Sequence, residues 1–228
     1  MIVTAHQPSY LPWLGYFQKI MKSDIYVFLD SVQFEKNSFT NRNKIKTPQG
    51  SVWLTIPVLT KDHTKLTINE IQIDNRQDWK RKHLNAIFLN YKKAPRFEYC
   101  YSKLEVLYQS QSQLLSEICW EHLNFWLNEL GINKKVVRSS QLPITSKKSE
   151  LILDLCRYFG AHHYISGVLG RNYLTEDIFR QAGIHIEYQD YHHPIYPQLW
   201  GEFIPYMSII DFWMNTSNAS LIMGESHV

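Results

Sequence analysis

The histidine at position 6 and the glutamine after it are the first side chains in the sequence that could take part in a reaction. They stand at the end of a short apolar run, residues 1–5, and directly before Pro8. An imidazole can take up a proton near neutral pH, or it can hydrogen-bond a charge that develops during a reaction. His6 is therefore a candidate general base, and Gln7 is a candidate substrate ligand. A histidine that only holds the turn after the apolar run is the alternative.

A second group of chemically useful side chains lies in the segment NSFTNRNKIK, residues 37–46, which contains no acidic residue. An arginine can grip a phosphate with two hydrogen bonds, while a lysine adds a mobile charge. Amide side chains suit the hydroxyl groups of a sugar. The segment thus predicts a site for a phosphorylated sugar, and a solvated loop is the alternative. The candidate ligands are Asn41, Arg42, Asn43, Lys44 and Lys46.

The histidine pairs at 162–163 and 192–193 do not predict a metal site. Adjacent residues of a strand point to opposite faces, and neither pair is accompanied by an H-x-x-x-H or carboxylate spacing. The turn SGVLGR, which begins at Ser166 and Gly167, is compatible with contact to a phosphate or a substrate. No P-loop, G-x-G-x-x-G or G-x-S-x-G motif is present.

The composition excludes several classes of protein. Apolar residues make up 44% and charged residues 20% of the 228, as in a soluble globular protein. The formal charge of +3 permits a site for a phosphorylated ligand, but a nucleic-acid-binding face needs clustered basic residues. The cysteines at 100, 119 and 156 lack a C-x-x-C spacing, which predicts buried free thiols in a reducing compartment. Without a targeting segment or a long apolar run, a cytoplasmic location is expected.

Alternating apolar runs and helical patterns predict an α/β fold with a mostly parallel sheet flanked by helices. A helix over residues 13–21 between apolar runs at 1–5 and 25–29 makes a βαβ unit, and residues 31–50 are predicted as a polar loop. Further strands are predicted at 51–58, 66–73, 135–139, 163–166 and 184–189. Further helices are predicted at 77–91, at 101–130 with a break near 110–112, at 149–158, from 176 to 183 and at 208–215. The chain is expected to form one domain, with an α/β core of residues 1–75 and 133–228 and a helical insertion of residues 76–132.

Ligands of an open parallel sheet bind outside the carboxyl ends of its strands. Polar residues occupy several of the predicted strand ends, which predicts a pocket where the ends converge. These residues are His6 and Gln7, Asp30 with Gln33, Ser139 and Ser140, Ser166 and Gly167, and Asp190.

Several motifs resemble those of the WbqC-like family. They are HQPSYLPWLGYF, FLDSVQF, NRNKIKTPQG, WLTIPV, HYISG, HPIYPQLWGEFIP and SIIDF, and they extend over nearly the whole chain. The resemblance implies a role in bacterial O-antigen or other surface-polysaccharide biosynthesis, with a nucleotide-linked sugar as substrate. The turn after ISG departs from the family pattern, which is richer in Ser, Gly and Lys than the VLGR of this chain.

The family's motif positions fall on residues of this chain that include the strand-end candidates. The motif positions include His6 and Asp30, and one of these two is expected to be the catalytic group that takes a proton from the attacking amine. Substrate contacts are expected at the motif positions Gln7, Tyr10, Gly15, Gln33, Asn41, Arg42, Asn43, Lys44, Ser166, Gly167 and Gln198, to which the basic segment adds Lys46. Pro8 and Asp211 also lie at motif positions.

The function expected from the resemblance is a transferase or ligase that forms an amide on the amino group of a nucleotide-linked sugar. ATP or an acyl-CoA is a candidate cofactor, and a homo-oligomer is an open alternative to a monomer. A strand, a histidine-containing turn, a helix and a second strand also resemble the adenylyltransferase-like fold. Two other functions remain open, a non-catalytic sugar-nucleotide or glycan-binding accessory protein and a nucleotidyltransferase.

Overall fold

Parallel strands form the central sheet of the protein, whose computed structural model describes residues 1–59 and 65–224. The strands are β1 (Ile2–His6), β2 (Ile25–Phe28), β3 (Arg42–Thr47), β4 (Gly50–Thr55), β5 (Lys135–Arg138), β6 (His163–Ser166) and β7 (His185–Tyr188). The α-helices are α1 (Leu14–Lys22), α2 (Trp79–Tyr91), α3 (Phe97–Leu107), α4 (Leu115–Glu129), α5 (Lys148–Tyr158), α6 (Glu176–Gln181) and α7 (Ile209–Asn215). A five-stranded sheet has the order β5-β2-β1-β6-β7 with every pair parallel, which confirms the predicted α/β class.

The sheet is apolar because helices cover both of its faces, as parallel sheets require. One core cluster joins Val3 and Ala5 of β1 to α5 and α6. The other joins Tyr26 and Phe28 of β2 to α1 and to the helices α2, α3, α4 and α7. All residues of β2 are buried, which explains why its sequence shows no alternation.

The long connection between β2 and β5 contains α2, α3 and α4, as the predicted helical insertion required. The break predicted near residues 110–112 is confirmed, since α3 ends at Leu107 and α4 begins at Leu115. The prediction of a loop over residues 31–50 is wrong for β3, which forms an antiparallel hairpin with β4. The strand alternates half-buried Arg42 and Lys44 with buried Asn43 and Ile45, so its inward face is only partly apolar.

The strand predicted at residues 66–73 is also not continuous. Thr67, Gln72 and Ile73 each form an isolated bridge, and a 3-10 helix occupies Ile68–Glu70 between them. The Glu70 carboxylate accepts hydrogen bonds from the backbone N–H of Thr67 at 2.8 Å and from its hydroxyl at 2.6 Å. This local capping competes with strand pairing.

The three cysteines are free and buried, as the sequence predicted. Over the part of the chain that the structure describes, every helix is too short or too polar to cross a membrane.

Two buried histidines lie in an aromatic cluster beneath β4. His83 donates a hydrogen bond from Nε2 to the Thr55 carbonyl at 3.2 Å, and its Nδ1 accepts one from the Tyr10 hydroxyl at 2.8 Å. His122 packs with its ring centroid 5.5 Å from that of Tyr10 and 5.4 Å from that of Tyr108. Its Nδ1 is buried without a hydrogen-bond partner. Both rings are therefore built into the core in their neutral form.

We expect acid to destabilise the fold through these two rings. Burial lowers the pKa of His83 to about 4 and that of His122 to about 3, from 6.5 for an ordinary histidine. Below pH 6.5 the unfolded chain therefore binds protons that the folded chain does not, and the free energy of unfolding falls until the pH reaches the lowered values. Each histidine contributes a slope of about 1.4 kcal/mol per pH unit, which urea titrations across this interval measure.

His122→Phe is the matched variant for this titration, because it keeps an aromatic ring in the cluster and cannot be protonated. We expect a shallower loss of stability on acidification than in the wild type. Equal slopes in the two proteins would contradict the role given to His122.

Candidate functional site

The candidate site lies at the carboxyl edge of the sheet, where β1 and β6 are neighbours. From β1 the chain passes through α1 to β2 on one side, and from β6 it passes through α6 to β7 on the other. The connections therefore diverge between β1 and β6, and such a topological switch point leaves a crevice in which parallel sheets bind ligands. The structure brings His6, Gln7, Ser166 and Gly167 to this edge.

His6 is half-buried at the end of β1, beside Tyr16 of α1, with the ring centroids 4.9 Å apart. Its Nδ1 donates a hydrogen bond to the Gln7 carbonyl at 2.8 Å. This contact fixes the tautomer with the proton on Nδ1 and leaves the lone pair on Nε2. Among the described residues no group donates to that Nε2. Burial and then the charge of Lys19 lower the pKa of His6 to about 3, so the ring is neutral at physiological pH.

Ser166 and Gly167 lie at the end of the neighbouring strand β6, at the same edge of the sheet as His6. The Ser166 side chain is buried and donates to the Gly167 carbonyl at 3.0 Å. The turn closes tightly on this serine, because a Cβ on Gly170 would lie 1.9 Å from its hydroxyl oxygen. Gly167 is half-buried, and among the described residues other than its chain neighbours, the one atom within 4 Å of a Cβ built on it is the Lys19 ammonium nitrogen, at 3.8 Å.

Helix α1 connects β1 to β2 and packs against the sheet next to this edge. A Cβ on Gly15 would meet the Trp13 ring at 2.2 Å, so this glycine makes room for the indole. The buried Gln189, directly after β7, donates from Nε2 to the Gly15 carbonyl at 2.8 Å and to the Gln18 amide oxygen at 2.7 Å. These contacts tie the last strand to α1. Gly15 therefore has a packing role beside the Trp13 ring.

Asp30, the second predicted catalytic residue, is fully buried and surrounded by donors. Its carboxylate accepts hydrogen bonds from Arg138 Nε at 3.0 Å, from the Ser139 hydroxyl at 3.1 Å, and from the backbone and hydroxyl of Ser140 at 2.9 and 2.8 Å. Arg138 also pairs with Glu117 at 2.6 Å. Asp30 thus joins the end of β2 to the segment after β5.

Two asparagines of the basic segment serve the fold. Asn43 donates from Nδ2 to the carbonyls of Tyr10 at 3.3 Å and Leu11 at 2.7 Å, and its side-chain oxygen accepts the Lys44 backbone N–H at 2.8 Å. Asn41 donates to the Ile56 carbonyl at 2.9 Å, while its side-chain oxygen is buried without a partner. These bonds hold the turn after β1 against the hairpin.

The outward face of the hairpin carries the free cations of the basic segment. The Arg42 guanidinium lies 4.3 Å and the Lys44 ammonium 4.9 Å from the centroid of the Trp53 ring. Trp53 is 38% exposed, and Phe39, which is 52% exposed, lies 5.7 Å from it. A flat exposed ring flanked by two cations suits a base or sugar that carries phosphate.

Lys46 belongs to a different, buried network. Its ammonium donates to the Gln198 amide oxygen at 3.0 Å and to the Glu202 carbonyl at 2.5 Å. Gln198 in turn donates to the Asp211 carboxylate at 2.7 Å, which also accepts the Tyr196 hydroxyl at 2.8 Å. Burial raises the pKa of Asp211, and burial lowers the pKa of Lys46. The network locks the C-terminal loop onto β3.

The remaining predicted site residues lie elsewhere. Tyr10 is fully buried in the aromatic cluster, where its hydroxyl bonds His83 and Tyr108. Gln33 is exposed and forms an isolated bridge with Thr67. His6, Gln7, Ser166 and Gly167 therefore remain as the predicted residues at the crevice.

Two residues of the crevice were not predicted from the sequence, Lys19 and Gln189. Lys19 is 2% exposed on α1, where the helical pattern marks only Trp13, Phe17, Ile20 and Met21 as inward-facing. The sequence signal for the burial of Lys19 was the position of α1 between two mostly apolar strands, which leaves little of this helix exposed. Across the described residues no three His, Cys, Asp or Glu side chains are grouped as metal ligands.

Comparisons with known proteins agree with the motifs. The model of the WbqC-like protein family matches residues 7–222. The chain is 35% identical over 211 residues to an uncharacterized protein of Mycobacterium tuberculosis, with 92% of this chain and 91% of that protein covered. No solved structure matches the chain.

We expect Asp30→Asn to lower the free energy of unfolding by about 3–5 kcal/mol, because the change removes the buried carboxylate charge that Arg138 Nε, Ser139 and Ser140 bind. Urea denaturation measures the effect. Asp154→Asn is the control, since Asp154 pairs with Arg157 on the surface, and such pairs contribute about 1 kcal/mol or less. If Asp30→Asn were as stable as Asp154→Asn, the structural role of Asp30 would be refuted.

Proposed function

The chain belongs to the WbqC-like protein family, and we propose that it catalyses amide formation on the amino group of a nucleotide-linked sugar. The substrate class follows from the resemblance of the chain's motifs to those of the family. The observation that carries the proposal is the neutral His6 at the switch point, with its Nε2 lone pair unused among the described residues.

The proposed reaction places the nucleotide in the crevice between β1 and β6. The amine attacks an activated acyl group, either a thioester or an acyl adenylate. A carbon–nitrogen bond forms, and the bond from the acyl carbon to sulfur or to the phosphate oxygen breaks. His6 Nε2 accepts the proton that the nitrogen loses and passes it to the leaving group or to solvent. Either activated donor fits this scheme, so ATP and acyl-CoA both remain candidates.

The other predicted residues take supporting roles in this proposal. Arg42 and Lys44, beside the exposed Trp53 ring, are available to bind the phosphorylated part of a substrate. Asp30 is assigned to positioning, because four donors surround its carboxylate. The sheet order is consistent with an adenylyltransferase-like arrangement, which we propose as the structural relationship.

A second candidate function is sugar binding without catalysis. Tyr206 is 53% exposed on the C-terminal loop, and its ring lies 5.6 Å from that of the half-buried Trp13. Aromatic faces of this kind stack on sugar rings. Calorimetry that detects tight binding, together with an unchanged ligand after long incubation, would favour this candidate over catalysis.

We expect purified protein to add an acyl or aminoacyl group to a dTDP-linked amino sugar when supplied with an acyl-CoA, or with an amino acid and ATP. Mass spectrometry detects the product. His6→Ala should reduce kcat/KM by about 10²–10⁴-fold, because the neutral amine needs only modest help from a base. His185→Ala, which removes an exposed histidine at the start of β7, is the control and should leave the rate unchanged.

Three results would count against the proposal. Folded wild-type protein that yields no amide across the panel would refute catalysis of this kind, and pyrophosphate release with transfer of a nucleotidyl group would support a nucleotidyltransferase instead. Full activity in His6→Ala would remove His6 from the mechanism.

A further inference from the structure

We propose that Lys19 is a phosphate-binding residue, and that a phosphate group reaches its ammonium at the surface of Gly167. The inference rests on the proposed function only for the identity of the molecule that carries the phosphate. Nothing in the motifs or in the comparisons assigns a role to Lys19.

The first observation is a buried cation without a counter-ion. Lys19 is 2% exposed, and its Nζ makes one hydrogen bond within the described structure, to the Ala5 carbonyl at 3.3 Å. None of the ion pairs found between described residues includes it. An ammonium has three N–H donors, and buried charges in proteins are normally paired or saturated. Among the described residues Lys19 has neither a counter-ion nor a full set of acceptors, and burial favours its neutral form.

The contrast with Lys46 strengthens this observation. Lys46 is also buried, and burial lowers its pKa, but its ammonium binds the Gln198 amide oxygen and the Glu202 carbonyl, and the nearby Asp211 carboxylate opposes the shift. The protein therefore supplies this buried lysine with two hydrogen bonds and a nearby carboxylate from its own residues. Lys19 lacks such partners among the described residues, and burial lowers the pKa of this lysine to about 7.

The second observation is an open approach to the ammonium. A side chain at position 167 would begin 3.8 Å from Lys19 Nζ and would meet no other atom within 4 Å. Gly167 has a φ of −69°, which any residue can adopt, so the backbone conformation does not require a glycine. It is also half-buried rather than buried. The absence of a side chain thus leaves a path by which a ligand group can approach the cation.

The position of this path in the fold indicates which class of ligand would use it. Gly167 directly follows β6, and His6 and Gln7 directly end β1, so the path opens at the switch point of the sheet. Parallel sheets hold the phosphates of nucleotides at such points. The shared chemistry is a phosphate group, which a sugar nucleotide, an adenine nucleotide or free phosphate could supply.

The test is calorimetric titration of the full chain with dTDP, ADP and inorganic phosphate as separate probes. We expect Lys19→Met to weaken the binding of the preferred probe by about 10–100-fold, as loss of a charge-assisted hydrogen bond does. The control is Lys22→Met, which removes an exposed lysine from the same helix and should change affinity by less than about twofold. The preferred probe identifies the source of the phosphate.

Thermal unfolding separates binding from a structural role. Lys19→Met keeps the apolar stem and removes an uncompensated buried charge, so we expect its Tm to equal or exceed that of the wild type. Gly167→Ala is the second variant. It should fold and should weaken binding by at least about tenfold, because its methyl group occupies the approach to Nζ.

Each outcome bears on the inference independently of the reaction. Unchanged affinity in both variants, or wild-type protein that binds none of the probes, would overturn it. Lys19-dependent binding with no amide product would uphold the inference and refute the proposed function. Amide formation with full activity in Lys19→Met would support the proposed function and refute the phosphate-binding role of Lys19.

Discussion

The burial of residues Leu14–Ile20 of α1 on every side is the constraint on which the candidate site depends. All residues of Leu14–Ile20 are buried, because the sheet lies along one side of the helix and the C-terminal 3-10 helix Ala219–Met223 contacts another. Polar side chains in such a helix must find partners inside the protein. Gln18 finds one in Gln189, whereas Lys19 reaches only a backbone carbonyl. The same packing that fixes the crevice therefore leaves a cation beneath it.

Most of the other polar motif residues hold loops in place. Asp30 joins the ends of β2 and β5, Asn43 fastens the turn after β1, and Asp211 anchors the C-terminal loop. A fully buried polar group is stable only when it is hydrogen-bonded, and a saturated group has no capacity left for a ligand. Motif membership alone therefore does not separate catalytic residues from residues that shape the crevice.

The sequence allowed the sheet to be predicted because its strands are short apolar runs bounded by polar turns. The strand-end rule then placed His6 and Ser166 together, since it depends only on the direction of parallel strands. The hairpin strand β3 escaped prediction because charged residues alternate with a buried asparagine and one isoleucine. The partners of Asp30 and Lys19 could not be predicted, because they come from segments distant in sequence that only the folded chain brings together.

The causes of the lowered pKa of His6 restrict the chemistry that this histidine can perform. Burial is the larger cause and the charge of Lys19 the second, so a phosphate paired with Lys19 removes only the smaller one. Burial, the larger cause, does not depend on the partner of Lys19 and favours the neutral form of His6. Such a weak base cannot deprotonate an amino sugar whose ammonium has a pKa of about 8. It can accept the far more acidic proton of an ammonium already bonded to the acyl carbon. The amine must accordingly enter the crevice neutral, and His6 acts after the carbon–nitrogen bond has formed.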